Sequence, residues 1–133
     1  MRSLLITALL CFCVSAYAAN WKKIWENPSG ISEKYIDLDN IENVKNRSII
    51  FNIKTLSDYL EETDYVALSS VQNFKINCRT KKYANYGDLI FYEQQMGQGK
   101  ILSRFPWSTP FRESLCEGCF SYPLIKYVCN LAN

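Results

Sequence analysis

The chain contains no histidine. That excludes a Ser-His-Asp triad, a Cys-His nucleophilic pair and any zinc site built on imidazole. Glycine and proline are sparse, five and four among 133 residues, and there is no linker, internal repeat or low-complexity stretch. One domain with one core is expected. Charge of one sign is also lacking. Fifteen basic residues against thirteen acidic ones leave a formal charge of +2, so nothing drives the chain toward nucleic acid in general. No two carboxylates stand out as an acid/base pair. Glu61, Glu62 and Asp64 lack the alternating spacing and the glycine of an EF-hand loop. No enzyme, metal or cofactor is expected.

The first 18 residues read as a signal peptide. Arg2 supplies the positive start, Leu4–Val14 is an uncharged apolar run, and Ala16-Tyr17-Ala18 places small residues where a signal peptidase cuts. The run is shorter than the ~20 apolar residues that span a bilayer. Leu10 and Phe12 precede Cys11 and Cys13, which disfavours lipidation. Residues 19–133 then form the exported domain, with Ala19 as the alternative cut. Loss of Arg2 lowers the formal charge from +2 to +1. No stable membrane insertion is expected after cleavage.

Four cysteines remain: Cys78, Cys116, Cys119 and Cys129. In an oxidising compartment an even count favours disulfides, and four cysteines allow three pairings. The favoured set is Cys78–Cys129 with Cys116–Cys119. Cys116-Glu117-Gly118-Cys119 is a CxxC, but it does not open a helix after a strand as a thioredoxin-like motif does. A small structural disulfide is the preferred reading over redox chemistry or half of a metal site.

The pattern predicts an α+β fold: an antiparallel sheet of about six strands, stapled by disulfides, with a C-terminal helix packed on one face. Strands are expected at Trp21–Trp25, Ser32–Asp37, Ser48–Leu56, Tyr65–Cys78, around Tyr83–Tyr92 and at Lys100–Phe105. The third alternates cleanly, with Ile49, Phe51 and Ile53 on one face. Asp37–Asn46 reads as a connection with room for a helical turn, and Ser57–Asp64 as a solvated acidic loop. Ser69-Ser70 marks a candidate bulge. Gly87-Asp88 is a hairpin turn or a bulge. Met96-Gly97-Gln98-Gly99 is a turn. Thr109-Pro110 suits a helix start, with a short turn over Phe111–Leu115. Leu124, Val128 and Leu131 recur at helical spacing, giving a helix from about Leu124 to Asn130.

Two surface features are candidates for a partner. Lys75, Arg79 and Lys81 share one face if the strand continues past Cys78, with Lys82 and Tyr83 adjacent. Such a strip suits an acidic glycan or an acidic protein segment. Tyr83, Tyr86, Phe91 and Tyr92 could form an aromatic platform, or serve as core and cross-strand packing.

These residues fall in an order that is similar to a known family. Trp21 precedes Tyr35-Ile36-Asp37. Ser69-Ser70 leads through Phe74 and Ile76 to Cys78, followed by Tyr83. Tyr92 leads to Met96-Gly97-Gln98-Gly99, then Trp107 and Val128-Cys129. The mature chain resembles the surface-adhesin protein E-like domain of Gram-negative bacteria, apart from the additional pair Cys116 and Cys119. The resemblance implies an antiparallel sheet with a packed C-terminal helix and export to the periplasm or outer surface. For some members it implies adhesion to host matrix proteins. The expected role is a non-enzymatic binding domain with a protein partner, a host extracellular-matrix protein among the candidates. A homodimer is left open. Inhibition of an enzyme such as lysozyme and a CxxC redox role are the alternatives.

Overall fold

The computed structural model describes residues 19–43, 49–60 and 66–131. The predicted signal peptide and the acidic residues Glu61, Glu62 and Asp64 lie outside the described residues. Six strands follow in sequence order across one antiparallel sheet: β1 (Trp21–Glu26), β2 (Ser32–Asn43), β3 (Ile50–Tyr59), β4 (Ser69–Asn77), β5 (Lys82–Tyr92) and β6 (Ile101–Pro106). A short β7 (Arg112–Glu113) adds to β5, and a single helix α1 (Ser121–Leu131) closes the described chain.

Alternation sorts each strand into two faces. One face carries Ile36, Phe51, Ile53, Phe74 and Ile76, and α1 covers it with Leu124, Ile125, Val128 and Cys129. Leu124 and Val128 are wholly buried, and each such side chain contributes roughly 1.5–3 kcal/mol. Leu131, the last residue of the helix, stays exposed. Cys78 at the end of β4 is bonded to Cys129 on α1, with Cα atoms 5.4 Å apart. Cys116 and Cys119 are bonded to each other, Cα atoms 5.2 Å apart, in the loop that leads into α1.

The opposite face is covered by a fold-back of the chain itself. After β5, residues Gln95–Gly97 make one 3₁₀ turn above Leu56 and Val71. Asp58 Oδ1 accepts from the Met96 N–H at 2.8 Å, and Ser69 Oγ from the Gly97 N–H at 2.9 Å. Gly97 has φ +67°, and a Cβ there would lie 3.1 Å from Leu56 Cδ1. The Met-Gly-x-Gly motif is thus an anchor: it lets backbone approach the sheet where a side chain would collide.

Several expectations give way to tertiary structure. Asp37–Asn43 is strand rather than connection, since β2 runs on to Asn43; residues 44–46 lie outside the described residues. The register of β2 on β3 jumps between Ile36 and Ile41, and the buried Asp37 carboxylate accepts from the Asp39 N–H and the Asn40 amide to hold that bulge. Ser57–Tyr59 belong to β3 rather than to a loop, and Asp58 is buried. β4 begins at Ser69 instead of Tyr65, with Val66 at φ 61° before it. Ser69 and Ser70 pair in register with Asp58 and Ser57, so the bulge is not there. It lies on β5, where Gly87 at φ +74° takes up extra residues between Tyr86 and Ile90. The turn of helix at Phe111–Leu115 is absent, because Thr109 pairs with Asn85 through backbone and side chain and leads the chain along β5. The C-terminal helix starts earlier than the apolar period suggests, at Ser121.

Candidate binding surface

The predicted basic strip does not form one face. β4 ends at Asn77 because the Asn77 side-chain oxygen accepts from the Arg79 and Thr80 N–H groups at 3.0 and 3.2 Å, turning the chain. Arg79 lies in that turn, and Lys81 follows with φ 57°. Lys75 sits on the face away from α1, its ammonium 5.1 Å from the Tyr86 ring centroid. Lys82 opens β5 opposite Asn77 and Glu113. Tyr83 is on the helix-bearing face, packed on Phe74 and covered by the Arg112 guanidinium at 4.8 Å. The aromatic platform is divided as well: register puts Tyr83 and Phe91 on one face, Tyr86 and Tyr92 on the other. Burial, and secondarily Glu42, pushes the Tyr86 phenol up.

What converges instead is a ridge. α1 stands between two open grooves. One, of about 510 Å³, runs between the helix and the β4–β5 turn and is lined by Thr80, Lys81, Glu113, Tyr122, Ile125 and Lys126, among others. The other, of about 300 Å³, lies on the β1 side and is lined by Lys22, Lys23, Ile24, Pro123, Lys126 and Tyr127. Lys126 and Asn130 line both grooves. Three lysines, Lys22, Lys81 and Lys126, therefore reach the ridge from β1, the turn and the helix, against the carboxylate of Glu113. Lys22 lies 5.4 Å from the Tyr127 ring centroid, which favours holding its charge at the groove wall. Lys23 is shared with Glu26 and Glu33 on the other side of β1.

Lys22 and Lys126 were not legible as site residues. Lys126 had a signal, since helical spacing sets it opposite the stripe of Leu124 and Val128. Its meeting with Lys81 depends on the Cys78–Cys129 crossing. Among the described residues no group of three His, Cys, Asp or Glu side chains is placed to hold a metal, and no helix is long and apolar enough to cross a membrane.

The family model for Surface-adhesin protein E matches residues 21–130. The chain belongs to that family. No curated protein matches it. Among solved structures, the selenomethionine form of Haemophilus influenzae protein E has a TM-score of 0.60 at 19% identity, covering 81% of this chain and 85% of that one. Crystal form II of the same protein has a TM-score of 0.57 at 18% identity, covering 83% and 88%. The likeness shows a shared fold. Within that fold, this surface-adhesin protein E domain spends its Met-Gly-x-Gly motif and Ser69 on the anchor over Leu56 and Val71. It spends the apolar face of β4 on the core under α1.

Proposed function

We propose that the protein is an exported, non-enzymatic adhesin-like domain that docks on an acidic surface of a host extracellular-matrix protein through the lysine ridge around α1. Family membership supports an adhesin-like role. The observation that carries the choice of surface is Lys126, set between two grooves whose other cationic walls are Lys81 and Lys22. Charges arranged in this way steer encounter and set orientation more than they add raw affinity. The groove between them accepts an apolar side chain against Ile125 and Tyr122.

The test is retention of the mature domain on immobilised laminin or vitronectin across salt. Screening beyond ~8 Å at physiological ionic strength predicts weaker retention as salt rises. Lys81→Glu with Lys126→Glu should abolish steering and lower retention at low salt by about tenfold or more. Retention indifferent to both salt and charge reversal would refute the ridge, and absence of retention at micromolar protein would refute the matrix partner.

A further inference from the structure

The helix covers only part of its sheet face, and the remainder holds an ordered row. Register sets Trp25 opposite Lys34, Lys34 opposite Ser57, Ser57 opposite Ser70, and Ser70 opposite Phe91. Opposed residues share a face, so these side chains lie side by side across five strands. In the neighbouring row, Gln72 stands opposite Thr55 on the same face.

Among the described residues Lys34 is a cation without a counter-charge. Its Nζ donates to Ser57 Oγ and lies 5.3 Å from the Phe120 ring centroid. The ion pairs among the described residues join Lys23 to Glu26 and Glu33, and Arg104 to Asp88. Lys34 is in none of them. Among the described residues no ionisable group faces it: β1 presents Trp25, β3 presents Ser57, and Phe120 precedes α1, while Glu33 and Tyr35 take the opposite face. Gln72 Nε2 is buried and has no acceptor among the described residues. An ammonium without an ion-pair partner on this patch calls for an anionic oxygen.

The far end of the row is aromatic. Phe91 stacks on Phe105 with centroids 6.0 Å apart, and Phe105 meets Trp107 edge-on at 6.3 Å. Trp107 and Phe105 are 45% and 37% exposed, so ring surface is available beside the polar floor. Three strand spacings separate Lys34 from Phe91, about 14 Å, a length that two or three linked sugar rings span. The backbone under this patch is already paired in the β2–β3–β4–β5 ladders. An extended peptide therefore finds no strand edge to join here, whereas a sugar needs only side-chain donors and an aromatic surface.

We propose that the part of the helix-bearing face beside α1 binds a short acidic oligosaccharide, its carboxylate on Lys34, a hydroxyl on Ser57, and a sugar ring against Phe105 and Trp107. Burial lowers the Lys34 amine to about 8, and a bound carboxylate would favour its charged form. Affinity is then present below that value and lost as pH rises through it.

The experiment is an NMR titration of the mature protein, following the Lys34 side chain, with sialyllactose as probe, lactose as the neutral control and a short glutamate peptide as the acidic control. Sialyllactose should shift the Lys34 resonances and bind about tenfold or more tightly than lactose. Lys34→Met should remove that advantage while leaving the thermal midpoint unchanged or higher, because a half-buried cation is replaced by an apolar side chain of similar length. Trp107→Ala, at an exposed position, should weaken binding several-fold without touching Lys34. An unmoved Lys34 signal, equal binding of lactose, or preference for the glutamate peptide would overturn the proposal. Lysine-ridge variants at Lys81 and Lys126 leave this site intact, so its failure and the failure of matrix docking are read separately.

Discussion

Replacing Cys78 and Cys129 together by alanine is the sharpest perturbation of this fold. The bond spans a sequence separation of 51, and in the chain-entropy relation closing such a loop is worth about 4 kcal/mol. The total stability of a domain of this size is about 5–15 kcal/mol, so a large share rests on one crosslink. The second bond, Cys116–Cys119, closes a separation of only 3, worth under about 2 kcal/mol by the same relation. At roughly 3–5 °C per kcal/mol, the first double variant should lose on the order of 12–20 °C in Tm and the second less than about 10 °C. Urea titration followed by circular dichroism gives both free energies. Hydrogen exchange adds the location. Leu124 and Val128 still pack on Ile53 and Ile76, so α1 should stay docked, but its amides should exchange much faster than those of β3 and β4. A Cys78→Ala/Cys129→Ala variant no less stable than Cys116→Ala/Cys119→Ala, or one whose helix is as protected as wild type, would refute the assignment of the staple.

Other outcomes follow from single contacts. Gly97→Ala should cost more than Gly30→Ala on urea titration. Both sites have positive φ, costing about 1–2 kcal/mol for a side chain, but only at Gly97 does the added Cβ meet Leu56 and Val71, while Gly30 has nothing within 4 Å. Leu124→Ala should destabilise by about 2–5 kcal/mol, measured the same way. Asp58 has its carboxyl pushed up, chiefly by burial, and partly held down by the Met96 N–H. A raised acid binds its proton more tightly when folded, so stability should fall as pH rises from the unfolded value of about 4 through the folded one. Asp58→Asn keeps the acceptor for Met96 and should flatten that slope in pH-dependent urea titrations. Asp58→Ala leaves the Met96 N–H unpaired and should cost about 1–3 kcal/mol at every pH.

How far the site could be read ahead depends on the range of the interactions. Phe51 and Ile53, Phe74 and Ile76, and Leu124 and Val128 declare their buried faces by period alone, because a face is a local property of a strand or helix. Lys75, Arg79 and Lys81 obey period two as letters. The Asn77 side chain turns the chain between them, and that needs a hydrogen bond rather than a pattern. Thr109-Pro110 shows the same conflict: its letters suit a helix start, but Asn85 takes the threonine into the sheet.

The sequence by itself determined the sheet-and-helix class, the buried faces, the family order of motifs and the exclusion of histidine chemistry. Each of these follows from residue identity and short spacing. Only the tertiary structure decided that Met-Gly-x-Gly folds back onto Asp58 and Ser69 and that Lys126 meets Lys81 and Lys22 at one ridge. It alone places Lys34 in a row with Ser57 and Phe91. Those meetings join residues far apart in the chain, and they are set by strand register and by where α1 is held.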